Sequence, residues 1–149
     1  DQCKAVAQAA ISKWGRIDGL INSAYYHPDW GPLIEHDVEQ VLQAFNVGAA
    51  GALRMAMAVY PTMKAQGSGS IVNISSSLGR IVGRGFVAYG TAKAALQHMT
   101  RLMANELGPK VRVNAIAPGL LLPVQPMLPP PASRRPAFQR ACQRRRRPS

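Results

Sequence analysis

Apolar residues follow two patterns along this 149-residue chain: helical spacing in three stretches, and short continuous runs between them. The first helical pattern covers residues 1–15 and ends in glycine, which is a usual helix stop. The second covers residues 38–66, where Asp37 is placed to cap it, and predicts one bent helix or two successive helices. The third pattern predicts a helix from about Tyr89 to Leu107.

Three short apolar runs predict buried strands, namely IDGLIN at 17–22, IVNIS at 71–75 and VRVNAIAP at 111–118. Helices and strands therefore alternate, which is typical of a parallel sheet with covering helices, the α/β doubly wound fold. Because these strands carry apolar residues on both faces, we expect helices to cover both sides of the sheet.

The composition changes after about Leu120, where prolines are scattered through the sequence and arginines follow them. Proline has no backbone N–H for helix or sheet hydrogen bonds. We therefore predict a folded domain over residues 1–122 and an irregular, disordered tail over residues 123–149.

The net charge of +11 is unevenly distributed. Seven arginines and no acid stand between Arg134 and the end, and the rest of the chain, with eleven basic and seven acidic residues, carries +4. One hypothesis is that the tail binds nucleic acid or another anionic surface non-specifically. Only Phe138 lies among the arginines as an aromatic residue, so we expect no specific nucleic-acid partner.

Cysteine and histidine positions argue against a disulfide framework and a metal site. Cys3 and Cys142 stand near opposite ends, and the three histidines lack the short spacing of a ligand set. No apolar stretch reaches the roughly 20 residues that a membrane-spanning helix needs, and no secretory signal is recognisable. We expect reduced thiols, no bound metal and a cytoplasmic location.

The stretch YGTAKAAL, residues 89–96, carries the first chemical signal, a tyrosine four residues before a lysine. Positions i and i+4 share one face of a helix, about 5–6 Å apart at Cβ. A nearby ammonium favours the phenolate, so Lys93 is placed to lower the pKa of Tyr89 and make it a usable proton donor. The residues Gly90, Thr91 and Ala92 are small enough to leave that face open to a ligand.

Ser76 stands thirteen residues before Tyr89 and directly follows the strand IVNIS. Ligands bind at the carboxyl ends of strands in open α/β sheets. A serine hydroxyl beside a tuned tyrosine can bind a carbonyl or alcohol oxygen while the proton moves, which suits carbonyl reduction or alcohol oxidation. Asn73, on the strand itself, is expected to serve local hydrogen bonding.

Three motifs, GSIVNISSSLG, YGTAK and VRVNAIAPG, in this order and spacing, resemble the short-chain dehydrogenase/reductase family. The resemblance runs from Asp1 to about Gly119, and the tail resembles no part of the family. It implies a Rossmann-like fold, an NAD or NADP cofactor, a small alcohol or ketone substrate, and a homodimer or homotetramer. Steroids, sugars and generic ketones are all substrates of the most similar branch, and the sequence does not choose among them.

The resemblance also implies roles for individual residues. Tyr89 is the expected acid/base, Lys93 its partner and a ligand of the nicotinamide ribose, Ser76 the group that orients the substrate oxygen, and Asn46 the support of a proton relay. Cofactor contacts are expected at Ser23, Ala24, Ile74, Tyr89, Lys93, Pro118 and Gly119.

The sequence departs from the family pattern in three places. No glycine-rich phosphate-binding turn precedes the first helix, as expected for a fragment. The stretch NSAY, residues 22–25, has Tyr25 where the family has a glycine beside the cofactor, and Pro123 replaces a threonine that lies near the cofactor amide. Two hypotheses follow: an NAD(P)-dependent oxidoreductase that uses Tyr89, or an inactive, truncated remnant that cannot bind the dinucleotide.

Overall fold

Helices and strands form where the apolar spacing predicts them. The computed structural model describes residues 2–120. Its elements are α1 (Gln2–Trp14), β1 (Gly19–Asn22), α2 (Val38–Phe45), α3 (Gly51–Gln66), β2 (Gly69–Ile74), α4 (Val87–Leu107) and β3 (Val111–Ile116).

The predicted helix boundaries have identifiable local causes. Helix α1 stops at Gly15, whose φ of 71° is costly for residues with a Cβ, and its N–H donates to the carbonyl of Ile11 at 2.8 Å. Helix α2 begins after Asp37, whose side chain accepts a hydrogen bond from the N–H of Glu39 at 2.9 Å. The cap expected at Asp37 is therefore confirmed.

Helices α2 and α3 are joined by a π-helical turn, Asn46–Ala50, so residues 38–66 form one continuous helical stretch. A π turn inserts one extra residue, and such turns occur often at functional sites. It leaves Gly48 and Ala49 buried, with Asn46 exposed at its start. Of the two sequence alternatives, one irregular helix describes the chain better than two separate ones.

The three strands form a parallel sheet in the order β1-β2-β3, which confirms the predicted α/β class. The register places Ile21 beside Val72 and Val72 beside Asn114. Backbone hydrogen bonds continue past the strand ends, where Ser75 N donates to Ile116 O at 2.7 Å and Ser77 N to Pro118 O at 2.9 Å. These bonds hold the segments after β2 and β3 side by side.

The apolar core lies on one face of this sheet. Buried residues of α1, α3 and α4 pack there against Ile71, Val111 and Val113. On the opposite face Ile21 is 70% exposed and Ile116 is 53% exposed. The expectation of helices on both faces is therefore wrong for the described residues, because α3 and α4 contact the same side of the strands.

A chain of polar side chains crosses the core and fixes the sheet to α4. Asn22 Nδ2 donates to Asn73 Oδ1 at 2.8 Å, and Asn73 Nδ2 donates to Thr100 Oγ1 at 2.9 Å. Asn73 is fully buried, so these bonds offset the cost of removing its amide from water. The structural role expected for Asn73 is confirmed.

Internal contacts group Asp1–Gly119 into one unit. The predicted tail, residues 123–149, with Pro123, Phe138 and Cys142, lies outside the described residues, as does the domain limit at 122. Among the described helices, none is both long and apolar enough to cross a membrane.

Candidate active site

Lys93, near the start of α4, contacts the carboxyl end of strand β2. Its ammonium is buried and donates a hydrogen bond to the carbonyl of Ile74, the last residue of β2, at 2.7 Å. No acidic side chain pairs with it within the described part of the chain. Burial disfavours the charged form and lowers the pKa of Lys93 from its ordinary value of 10.5.

Tyr89 lies on the same face of α4 as Lys93, as the four-residue spacing predicts. The Lys93 Nζ atom is 5.6 Å from the centre of the Tyr89 ring. Tyr89 is half-buried, whereas Lys93 is buried beneath it. This arrangement places a fixed positive charge next to a phenol that is still accessible.

The loop that carries Ser76 packs closely on α4 through glycines. A Cβ at Gly79 would meet Gln97 Nε2 at 2.6 Å and backbone atoms of Lys93 and Ala94 at 2.9 Å. A Cβ at Gly90 would meet the carbonyl oxygen of Leu78 at 3.0 Å. Small residues are therefore needed here for loop packing.

The small residues of YGTAK do not all face a ligand, contrary to expectation. Ala92 is buried in the core beside Ala44 and Ala88, and Gly90 faces the loop. Of the three intervening residues, only Thr91 is exposed. The open side of the helix start is instead the one that Tyr89 occupies.

Ser75 and Gln97 clamp the serine loop to α4. Gln97 Nε2 donates to Ser75 Oγ at 2.8 Å and to the carbonyl of Ser76 at 2.8 Å. Ser75 Oγ donates to the carbonyl of Lys93 at 3.0 Å. Sequence reasoning missed this clamp, because a buried glutamine on a helix belongs to no recognisable motif and its bond to Ser75 follows only from tertiary packing.

Ser76 and Tyr89 line the same cavity, which has a volume of about 230 Å³. Ser76 Oγ accepts a hydrogen bond from Leu78 N at 3.2 Å, which leaves its own proton available to another acceptor. The remaining lining comes from two loops and consists of Tyr25, His27, Pro28, Trp30, Leu78 and Phe86. The predicted pairing of Ser76 with Tyr89 thus corresponds to a shared concave surface.

Tyr25 packs directly against the two residues of the YxxxK motif. Its ring makes an edge contact with Tyr89, with centroids 6.0 Å apart, and lies 5.7 Å from Lys93 Nζ. The aromatic residues of the loop after β1 were visible in the sequence as SAYYHPDW, but their convergence on Tyr89 was not. Tyr25, which stands where the family has a glycine, thus lies beside Tyr89 and Lys93.

Asn46 does not line this cavity. Its side-chain Oδ1 accepts a hydrogen bond from Arg54 Nη2 at 2.7 Å, and its carbonyl accepts one from Arg54 Nη1 at 3.2 Å. The structure therefore brings Ser76, Tyr89 and Lys93 together but places Asn46 on the exposed π turn.

The remaining expected cofactor residues stand at the ends of the strands. Ser23 and Ala24 follow β1 and are exposed. Ile74 contributes its carbonyl to Lys93, and Pro118 contributes its carbonyl to Ser77 N. Gly119 is exposed, with open space where a Cβ would stand.

The residues at this edge fit the ribose end of a nicotinamide dinucleotide. Lys93 uses one of its three N–H groups on Ile74, so two remain for ribose hydroxyls. The side chain of Lys93 is fixed by burial, and the residues that follow β1, Ser23 and Ala24, are exposed. No glycine-rich turn for the pyrophosphate precedes α1 in the sequence.

A parallel sheet with Ser76, Tyr89 and Lys93 gathered at its carboxyl edge defines a Rossmann-like protein. A family model described as enoyl-(acyl carrier protein) reductase matches residues 1–139. The chain belongs to the short-chain dehydrogenase/reductase family. The family model extends beyond the expected limit at about Gly119, whereas the alignments with the two relatives described next cover 119 and 122 residues.

Relatives and solved structures agree with this assignment. An uncharacterized oxidoreductase of Mycobacterium tuberculosis is 46% identical over 119 residues, covering 78% of this chain and 44% of the relative. The 3-oxoacyl-(acyl-carrier-protein) reductase of Thermotoga maritima is 38% identical over 122 residues, which cover 81% of this chain and 49% of the relative.

A crystal structure of NAD+-bound xylitol dehydrogenase superposes with a TM-score of 0.78 at 31% identity, over 81% of this chain and 47% of that one. The chain thus spans about half the length of the relatives that it matches.

Proposed function

We propose that this chain carries the proton-transfer half of an NAD(P)-dependent oxidoreductase that acts on a small alcohol or ketone. The observation that supports this most directly is the shared cavity of Ser76 and Tyr89, with Lys93 buried next to it. Family membership supports the oxidoreductase class and a nicotinamide cofactor. Neither NAD nor NADP is favoured by any described contact.

In the proposed reduction, Tyr89 donates its proton to the substrate oxygen, which becomes a hydroxyl group. The Ser76 hydroxyl donates a hydrogen bond to the same oxygen and holds it in the cavity. The Lys93 ammonium, 5.6 Å from the ring, stabilises the phenolate that remains. When bound, the nicotinamide supplies the hydride, and in alcohol oxidation every transfer is reversed.

Lys93 also has the geometry to hold the ribose, with Ser23, Ala24, Ile74, Pro118 and Gly119 as the proposed surrounding contacts. A relay through Asn46 would have to start from the π turn, where Arg54 now holds its side chain.

The Tyr89→Phe variant tests the proposed acid/base. It keeps the ring and its packing but removes the transferable proton, so turnover should fall by roughly 10²–10⁴-fold. The measurement is oxidation of NADH and of NADPH, followed by absorbance, with a panel of small ketones. Tyr60→Phe is the matched control, because Tyr60 lies on α3 outside the cavity and should keep full activity. Equal turnover in Tyr89→Phe and the parent chain would refute this mechanism.

The inactive remnant is the alternative, and the packing of Tyr25 against Lys93 favours it. Calorimetric unfolding with and without millimolar NADH and NADPH separates the two. A ligand that binds only the folded state raises the unfolding midpoint. A cooperative transition that neither nucleotide shifts would favour the remnant.

We further propose that the chain forms a homodimer through its long helices. Exposed apolar side chains support this, namely Phe45, Met57 and Leu102 on α2, α3 and α4. Apolar residues clustered on exposed helices are common at protein interfaces.

A further inference from the structure

The cavity beside Ser76 and Tyr89 is walled by aromatic rings to an extent that the acid/base chemistry does not require. Five of its eight lining residues carry rings with π systems, and the others include Pro28 and Leu78. The His27 and Trp30 rings are stacked, with centroids 5.0 Å apart and planes 17° apart. The rings of Trp30 and Phe86 are 4.9 Å apart, so the two loops meet through them.

No carboxylate, ammonium or guanidinium group lines the cavity among the described residues. A charged substrate would gain no ionic partner from the lining itself, because the nearby Lys93 ammonium does not line the cavity, and its loss of hydration would be costly. A polyhydroxylated sugar would need many hydrogen-bond partners, whereas the side chains of the lining offer five polar groups: the Ser76 hydroxyl, the two tyrosine hydroxyls, the His27 imidazole and the Trp30 indole N–H. The lining therefore disfavours anionic and sugar substrates.

The volume limits the size of the ligand. About 230 Å³ exceeds the roughly 150 Å³ cavity that is known to hold benzene. It is smaller than the roughly 300–1,000 Å³ of pockets that hold drug-sized molecules. One or two fused rings match this space, whereas the four fused rings of a steroid would extend beyond it.

We propose that the cavity binds a flat, uncharged ketone or alcohol of one or two fused rings, with its oxygen at Ser76 and Tyr89. Aromatic walls hold such a ring by offset-stacked or edge-to-face contacts, which a linear chain cannot make. The proposal rests on the proposed function, because the oxygen position follows from the roles given to Ser76 and Tyr89. It specifies the substrate class that the sequence left open.

The test uses the two tryptophans of the full chain, because Trp30 lines the cavity and Trp14 does not. Two-dimensional ¹H–¹⁵N spectra report each indole N–H while 2-tetralone, an uncharged two-ring ketone, is added without any nucleotide. The linear ketone 2-decanone has the same number of carbons, and sorbitol and testosterone serve as the sugar-like and four-ring probes.

We expect 2-tetralone to shift the Trp30 signal, leave the Trp14 signal in place, and bind about tenfold more tightly than each other probe. Trp30→Ala should weaken 2-tetralone binding about tenfold. Trp14→Ala is the matched control, since both side chains are exposed, and should leave binding unchanged. If Trp30→Ala unfolds the chain, the Trp30 and Trp14 signals of the parent chain still show whether 2-tetralone binds in the cavity.

An unmoved Trp30 signal, equal binding of 2-decanone, or tighter binding of testosterone or sorbitol would overturn the proposal. These outcomes are independent of the catalytic proposal, because no nucleotide is present. Binding of 2-tetralone without turnover in the later assay would contradict the catalytic role alone. Turnover of 2-decanone as efficient as that of 2-tetralone would contradict the ring preference alone.

Discussion

Lys93 combines two properties that oppose each other, a charge that the proposed chemistry needs and a position that water scarcely reaches. The described structure gives it the carbonyl of Ile74 as a hydrogen-bond acceptor and no carboxylate. A carbonyl offsets only part of the cost of burying an ammonium. The fold therefore holds Lys93 at a cost in stability, as expected where a residue is retained for function.

This cost predicts a pH dependence of stability. Burial lowers the pKa of Lys93 below 10.5 in the folded state. Between that lowered value and 10.5 the unfolded state binds more protons, so the free energy of unfolding should rise with pH across this window. Urea denaturation from neutral pH upwards should show the parent chain gaining stability relative to Lys93→Met.

The matched control is Lys110→Met, because Lys110 is exposed and bears no burial cost. Its stability relative to the parent chain should stay constant over the same range. If the difference in the free energy of unfolding between the parent chain and Lys93→Met is also constant over this pH range, the burial effect is contradicted.

The position of Tyr25 predicts that its side chain weakens cofactor binding. Its ring lies 5.7 Å from Lys93 Nζ, on the ammonium that is proposed to hold the ribose. Tyr25→Gly removes this contact, so NADH and NADPH should bind about two- to fivefold more tightly, the equivalent of an exposed cation–π contact. The shift of the calorimetric unfolding midpoint measures the gain.

Tyr25→Phe keeps the ring and should bind the nucleotides as the parent chain does. Weaker binding in Tyr25→Gly than in Tyr25→Phe would show instead that the ring helps to hold the cofactor.

At the residue scale the sequence was sufficient where spacing alone determines proximity. The i to i+4 rule brings Lys93 to Tyr89, and the end of a strand brings Ser76 to the same edge. The contacts of Tyr25 with Tyr89 and of Gln97 with Ser76 could not be predicted from spacing, because the partners lie on elements distant in sequence. Tertiary packing, which local patterns do not encode, creates those contacts.

At the scale of elements, the serine loop and α4 behave as one packed unit. Gln97 bonds Ser75 and Ser76 across the contact, and Gly79 allows the backbones to approach. Displacement of the loop would therefore move Ser76 relative to Tyr89. Predicted boundaries were accurate for these elements within two residues, because apolar spacing and glycine stops both mark them.

Gly79→Ala should reveal this coupling. The added Cβ would meet backbone atoms of Lys93 and Ala94 at 2.9 Å, so the loop must shift. We expect a loss of about 1–3 kcal/mol in the free energy of unfolding, typical of overpacking, together with reduced ketone turnover. Urea denaturation and the absorbance assay measure the two effects.

Gly48→Ala is the control for the cost of adding a methyl group. Gly48 lies in the helical stretch with open space where a Cβ would stand, so alanine should not destabilise the chain there. Equal stabilities of the two variants would show that the loop contact is not tight.

At the scale of the whole molecule, the described helices cover the sheet on one face. The apolar runs correctly predicted the strands but suggested two covered faces, because a run of apolar residues does not say what lies against it. Among the described residues, Ile21 and Ile116 are exposed on the open face, and β1 and β3 are the edge strands of the sheet. Free edges and exposed apolar faces promote association between chains.

The chain should therefore associate through two separate surfaces, the open sheet face and the helices. Sedimentation velocity should show species larger than a dimer for the parent chain. The double variant Ile21→Lys, Ile116→Lys should block association through the sheet face and leave a dimer. Adding Met57→Lys, on exposed α3, should then give a monomer if the helices form the dimer.

The order of the substitutions separates the two surfaces. Met57→Lys alone should leave the association through the sheet face intact, because Met57 lies on α3 and not on a strand. A parent chain that is already monomeric at the highest concentration reached would contradict both surfaces. A monomer produced by the two sheet-face lysines alone would show that the helices contribute no interface of their own.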